Sequence, residues 1–64
     1  MMAKLYRNMI LDGRKTLSQV PTRWREETKA LLIEECVFRV NYGIMNLESV
    51  PEEVREEVAA IVNL

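Results

Sequence analysis

The sequence predicts an all-α protein built from two tandem helix–turn–helix-like units, offset by 30 residues. The units share a long central helix, which gives three helices in total. Three observations carry this prediction: an internal repeat, apolar residues at helical spacing, and no Gly or Pro from Arg23 to Tyr42. A break near Glu34 and Glu35 would instead give four short helices. We treat residues 1–64 as a single small helical domain, with unit one at about 3–32 and unit two at about 33–62.

The repeat is visible when the window 13–32 is aligned with the window 43–62, where eight of twenty positions are identical. The identical pairs are Gly13/Gly43, Leu17/Leu47, Val20/Val50, Pro21/Pro51, Arg25/Arg55, Glu26/Glu56, Glu27/Glu57 and Ala30/Ala60. Coincidence between two amphipathic helices could produce the shared Arg-Glu-Glu. It would not also place Gly, Leu, Val and Pro in register, so the pattern indicates an internal duplication.

The first predicted element is an amphipathic helix over residues 3–12, because apolar residues recur three and four positions apart. These apolar residues are Met2, Leu5, Tyr6, Met9 and Ile10. Gly13 follows the helix and is expected to end it as a left-handed cap, since Gly has no Cβ to clash in that conformation. Gly43 has the same place in the second unit.

A short turn and a second helix follow in each unit. Thr16 is expected to cap a turn over residues 17–19, and Asn46 its copy. Pro21 and Pro51 suit the first helical position, where the missing N–H is not needed. The apolar face of each following helix is predicted from the same spacing: Trp24, Thr28, Leu31 and Leu32 in one unit, and Val54, Val58, Ile61 and Val62 in the other.

The two halves of the chain have opposite charge. Residues 1–32 contain seven Lys and Arg against three acidic residues, net +4, whereas residues 33–64 contain two Arg against seven Glu, net −5. Two related units of opposite sign can associate head to tail, into rings or filaments. The alternative is that these charges lie on solvated helix faces, where exposed pairs contribute only about 0–1 kcal/mol each.

Little in the sequence points to catalysis, a metal or a cofactor, and we predict that the protein is not an enzyme. The chain has no His, the commonest general base and metal ligand. Cys36 is expected to be a buried structural residue. The pairs Glu52/Glu56 and Glu53/Glu57 are read as a solvated acidic face. We predict neither a membrane span nor a signal peptide, because no apolar run is long enough.

A basic segment supports a second hypothesis, that of a small nucleic-acid-binding regulator. Its cations could form a patch at the turn that leads into the second helix: Arg14, Lys15, Arg23, Arg25 and Lys29. A helix-turn-helix protein places such a helix in the major groove. Against it, Glu26 and Glu27 lie in the second turn, and the chain is slightly acidic overall. Trp24 is more typical here of a packing residue than of a base-stacking one.

The stretch KLYRNMILDGRKTLSQVPTRWREETKALL resembles a group of very small proteins from prophages and phage-tail-like particles of Gram-positive bacteria, encoded near tail-fibre and lysis genes. The residues that match the pattern of the group are Tyr6, Ile10, Gly13, Thr16, Leu17, Val20, Pro21 and Arg25. Thr28 departs from it, because an aliphatic residue is expected there, and Val58 restores that residue in the second copy. In the same copy Asn46 replaces the Thr. The resemblance implies a tail-associated structural or assembly protein and no catalytic residues.

We therefore expect a non-enzymatic protein that acts through helical protein–protein contacts, with tail-fibre or baseplate proteins as partners and a homo-oligomer as an open alternative. Nucleic acid and membrane are not expected partners. The expected location is the bacterial host cytoplasm during assembly, and retention in the virion or tail-like particle is left open. A third hypothesis is a freestanding helical domain whose duplication serves stability alone. Candidate interface residues, where exposed, are Leu5, Tyr6, Trp24, Phe38 and Val40.

Overall fold

The computed structural model describes residues 2–62, and the part it describes is all-α, with three α-helices and two short 3₁₀ turns. This confirms the predicted fold class. In chain order the elements are α1 (Met2–Leu11), the first 3₁₀ turn (Leu17–Gln19), α2 (Thr22–Asn41), the second 3₁₀ turn (Leu47–Ser49) and α3 (Glu52–Ile61).

Helix α2 runs without interruption for 20 residues, which confirms three helices rather than four. The region around Glu34 and Glu35 continues as helix because neither Gly nor Pro interrupts it. Glu35 also accepts a hydrogen bond from the Nε of Arg39 one turn later, at 2.8 Å, and the two charges form an i,i+4 ion pair. Such a pair contributes a few tenths of a kcal/mol to a helix, about 0.2–0.5 kcal/mol.

The chain divides into two compact units, Met1–Leu32 and Ile33–Leu64. The division falls where the offset of 30 separates the two copies in the sequence. Unit 1 contains α1, the first 3₁₀ turn and residues 22–32 of α2. Unit 2 contains residues 33–41 of α2, the second 3₁₀ turn and α3.

Each unit buries a small set of side chains. Those of unit 1 are Ala3, Ile10, Leu17, Val20, Thr28 and Leu32. Those of unit 2 are Cys36, Val40, Val50, Val54 and Val58. The pairs Ile10/Val40, Val20/Val50 and Thr28/Val58 occupy equivalent positions of the repeat and are buried in both units. The duplicated sequence therefore repeats part of its buried set as well as its helices.

The first helix of each copy ends at a glycine in the left-handed region, as predicted. Gly13 has a φ of 77° and Gly43 a φ of 73°. The N–H of Gly13 donates to the carbonyl of Ile10, and that of Arg14 to the carbonyl of Met9, at 3.0 and 2.9 Å. Gly43 and Ile44 make the equivalent pair of bonds in unit 2. This is the Schellman motif, which supplies hydrogen-bond donors to carbonyls that have none within the helix.

The 3₁₀ turns form where predicted, but their starts differ. In unit 1 the N–H of Thr16 donates to the Gln19 Oε1 at 2.9 Å, so the Gln19 side chain closes back on the residue that precedes the turn. In unit 2 the Asn46 side chain makes no cap hydrogen bond, so the prediction of an Asn46 cap was wrong. Backbone bonds from Ser49 to Asn46 and from Val50 to Leu47 hold this turn, and unit 1 makes the equivalent pair, from Gln19 to Thr16 and from Val20 to Leu17.

Both prolines lie one position earlier than predicted. Helix α2 begins at Thr22 and α3 at Glu52, so Pro21 and Pro51 precede the first helical residue. Their carbonyls accept the N–H groups of Trp24 and Val54, at 2.9 and 3.0 Å, as an N-cap carbonyl does. Pro51 has φ −51° and ψ 135°. This extended conformation suits a residue that links a turn to a helix, and proline adopts it readily.

Candidate interaction surfaces

Unit 2 exposes two aromatic rings at the end of α2. Phe38 and Tyr42 are one helical turn apart, with ring centroids 4.6 Å apart and ring planes inclined by 33°. Phe38 is 48% exposed and Tyr42 71%. Ile44, two residues beyond Tyr42 in the turn that ends the helix, is 67% exposed. We call Phe38, Tyr42 and Ile44 the unit 2 apolar surface.

Of the residues predicted as interface anchors, Leu5 and Phe38 are exposed. Leu5 is 53% exposed on α1. Tyr6 and Trp24 are half-buried, and each has a cation near its ring: the Lys15 ammonium lies 6.0 Å from the Tyr6 centroid, and the Arg23 guanidinium 5.3 Å from that of Trp24. Such contacts add about 0.5–1 kcal/mol where they are exposed. Both rings are therefore partly accessible to solvent, and each has a cation nearby.

Val40 does not meet the condition of exposure set for the candidate interface residues, because it is only 6% exposed. It lies four residues after Cys36 and eight after Leu32, both fully buried, so it falls on the covered side of α2. Helical spacing identifies which residues share a face. It does not by itself identify which face is covered.

The predicted basic patch is divided by its contacts. Arg25 donates from Nε and Nη2 to the Val20 carbonyl, at 3.2 and 2.8 Å, and from Nη2 to the Ser18 carbonyl at 3.2 Å. Arg14 makes an exposed ion pair with Asp12 at 3.2 Å. Arg25 thus closes the turn that precedes its own helix, and its guanidinium is already engaged in the protein.

Arg55 makes the same contacts in unit 2. It donates to the Val50 carbonyl at 3.2 and 2.9 Å and to the Glu48 carbonyl at 3.2 Å. We call this arrangement, Arg25 in unit 1 and Arg55 in unit 2, the arginine clasp. The sequence carried a signal for it, since Arg25/Arg55 is the cationic pair that is identical in the aligned windows. Sequence reasoning counts the match as part of the duplication and places Arg25 in the basic patch, so it does not predict this structural role.

The acidic residues of α3 border a groove of about 450 Å³ within unit 2. Its lining includes Leu47, Glu52, Glu53, Arg55 and Glu56. Within residues 2–62 the structure contains no group of three or more His, Cys, Asp or Glu side chains placed to hold a metal ion. The glutamates of the lining make the border of the groove acidic.

Cys36 is a fully buried free thiol. Burial raises the pKa of this thiol above its ordinary value; the Glu35 carboxylate adds to the rise and the Arg39 guanidinium opposes it. A raised pKa keeps the thiol protonated at neutral pH, and the protonated form is a poor nucleophile. This agrees with the structural role expected for Cys36.

Comparison of the two copies reveals exposed residues that the spacing argument missed. Tyr42 and Ile44 were not predicted, and Ile61, predicted on a covered face, is 55% exposed. The signal lay in the positions where the copies differ: Phe38, Tyr42 and Ile44 replace the polar Asn8, Asp12 and Arg14 of the first copy.

No α-helix within residues 2–62 is long and apolar enough to cross a membrane. No family model, curated protein or solved structure matches this chain.

Proposed function

We propose that the chain is a non-enzymatic structural or assembly protein that binds other proteins through the exposed faces of its helices. The observation that carries the proposal is the unit 2 apolar surface, with two aromatic rings and an Ile side chain open to solvent. Aromatic side chains contribute most to binding energy where an interface buries them, because each removes a large apolar area from water.

The net charges of the two units fit a role in protein binding. Phe38 and Tyr42 belong to the unit with net charge −5, and Leu5 to the part of the chain with net charge +4. A charged rim around an apolar centre raises the rate of association with an oppositely charged partner and disfavours other partners. Two such surfaces of opposite charge on one chain would suit an adaptor, which joins two proteins.

The setting we propose is a phage tail or tail-like particle, with tail-fibre or baseplate proteins as partners. This part of the proposal is supported by the sequence resemblance, which includes Gly13, Val20, Pro21 and Arg25. The chain would act in the bacterial host cytoplasm during assembly and then remain in the particle. The arginine clasp gives the Arg of that pattern a structural reason, since Arg25 holds the turn that ends at Val20.

The test is to purify particles from host cells that express the chain, and to measure the chain in them by mass spectrometry. Cells that lack the gene provide the comparison for tail morphology by electron microscopy. We expect the parent chain to co-purify with particles, and the double variant Phe38→Asn/Tyr42→Asp to be depleted. Ala60→Ser, at an exposed position of α3 rather than α2, should behave as the parent.

Absence of the chain from particles, together with normal tails in cells without the gene, would contradict the tail assignment. DNA binding by the purified chain distinguishes the nucleic-acid hypothesis. Retention on double-stranded DNA that weakens with salt and is lost in Arg23→Glu would favour a regulator. We expect no such retention, because Arg25 is engaged in the clasp and Arg14 is paired with Asp12.

A further inference from the structure

We propose that the unit 2 apolar surface binds unit 1 of a second copy of this chain, so that copies associate head to tail. The inference rests on the proposed function, since it names a partner for the same surface. Because the chain contains a repeat, each residue of unit 2 can be compared with the equivalent residue of unit 1.

The two units have the same local framework. Gly13 and Gly43 have nearly equal φ angles, and each is followed by the same pair of backbone hydrogen bonds. The arginine clasp has the same donors, acceptors and distances, within 0.1 Å, in both units. Where the two copies have different residues, the difference is therefore not needed to form the turns and helix ends that they share.

At the three positions of the unit 2 apolar surface, unit 1 is polar. Its equivalents are Asn8, Asp12 and Arg14, all exposed, and Arg14 pairs with Asp12 at 3.2 Å. The fold therefore accepts polar side chains at these positions. Phe38, Tyr42 and Ile44 instead expose apolar area to water, which is typical of a surface that a partner covers.

Charge decides which partner covers it. Two copies that met through the same surface on each would bring together two units of net charge −5. Contact with the part of a second copy that carries +4 instead brings together opposite charges. Like charges brought together oppose association and opposite charges accelerate it, so the heterologous arrangement is favoured.

Unit 1 also offers apolar area to receive the rings. Met2 and Leu5, three residues apart on α1, are 39% and 53% exposed. The exposed Lys4 lies between them in the sequence and adds a cation. In the second copy of the repeat, the position of Leu5 is occupied by Glu35. Leu5 is thus apolar where unit 2 is polar, at a position of the repeat different from those of the unit 2 apolar surface. A head-to-tail contact joins two different surfaces in this way.

The test measures the weight-average mass of the purified full chain by sedimentation and light scattering, over a range of protein concentrations at low and high salt. We expect mass to rise with concentration at low salt, and association to weaken at high salt as charges are screened. Two variants exchange residues between equivalent positions of the repeat. Phe38→Asn/Tyr42→Asp gives unit 2 the residues that unit 1 has at positions 8 and 12. Leu5→Glu gives unit 1 the residue that unit 2 has at position 35.

Each of these variants should associate more weakly than the parent, on the order of tenfold or more, as expected when aromatic or central apolar residues are removed from an interface. Ile61→Asn is the matched control, since Ile61 is an equally exposed apolar residue of unit 2 outside the surface, and it should associate as the parent does. Far-ultraviolet circular dichroism checks that each variant is folded.

Mixing the two variants gives the decisive result. Leu5→Glu keeps an intact unit 2 apolar surface, and Phe38→Asn/Tyr42→Asp keeps an intact unit 1. The mixture should therefore form a one-to-one dimer at concentrations where each variant alone is monomeric. Leu5→Glu that still self-associates would overturn the head-to-tail arrangement in favour of contact between identical surfaces. A parent chain that stays monomeric at both salts would overturn the inference, whereas its presence in purified particles would still support the proposed function.

Discussion

Replacing Thr28 with Val should stabilise the protein. Thr28 is fully buried in unit 1, and its Oγ1 has no hydrogen-bond partner among the residues that the structure describes. The equivalent residue of unit 2, Val58, is also fully buried. The same repeat thus accommodates an aliphatic side chain of the same shape, which makes the substitution a test of the hydroxyl alone.

The magnitude follows from the desolvation of that hydroxyl. A buried polar group without a hydrogen bond costs about 1–3 kcal/mol. Val keeps the β-branched shape, so the change leaves no cavity and alters helix propensity little. We therefore expect the free energy of unfolding to rise by about 1–2 kcal/mol. Each kcal/mol shifts the melting temperature of a domain this small by about 4–8 °C.

The assay is thermal and urea unfolding of the parent, Thr28→Val and Val58→Thr, followed by circular dichroism. Val58→Thr should be destabilised, because it places a hydroxyl at the equivalent buried position of unit 2. The urea dependence of the unfolding free energy should stay the same in all three proteins, as a change of stability alone requires. A melting temperature of Thr28→Val at or below that of the parent would refute the reasoning, since it would mean that the hydroxyl is satisfied in solution.

Gly13→Val should lower the free energy of unfolding by about 1–2 kcal/mol, because φ is 77° and a β-branched residue is strained there; an unchanged thermal melt would rule out the left-handed cap. Arg55→Met should cost about 1–3 kcal/mol in urea unfolding, because the carbonyls of Glu48 and Val50 lose a charged donor, and a cost near zero would contradict the clasp. Burial raises the pKa of Cys36, so its contribution to stability is complete below the ordinary thiol pKa and is lost as pH rises through the raised value. Unfolding measured from neutral to alkaline pH should show this loss in the parent and less of it in Cys36→Val; equal losses in both would contradict it.

Local features of the structure could be predicted from the sequence because they depend on residues that are near one another in the chain. Gly13 and Gly43 end helices, since a left-handed residue is needed there and Gly adopts that conformation without strain. The continuous α2 follows from the absence of any breaker over its length. The position of Pro51 was wrong by one residue, because the sequence favours proline both at the first helical position and just before it.

The covered and exposed faces could be predicted only in part. Spacing placed Ile61 with Val54 and Val58 on one face, yet Ile61 is 55% exposed while the other two are fully buried. Val40 was expected at an interface and is buried. Each of these residues lies on a helix, and the helical period gives the direction of its side chain but not the location of the elements that cover it.

The sequence by itself therefore determined the all-α class and the turns, because these follow from backbone preferences and from spacing within a few residues. It also determined the duplication, because the two copies can be aligned directly. The tertiary structure alone decided which apolar side chains are left in solvent and what Arg25 contacts. Its guanidinium reaches carbonyls five and seven residues earlier in the chain, and the turn before α2 has to form before they come within hydrogen-bond distance. The same holds for Phe38 and Tyr42, because their exposure depends on the positions of all the elements that could have covered them.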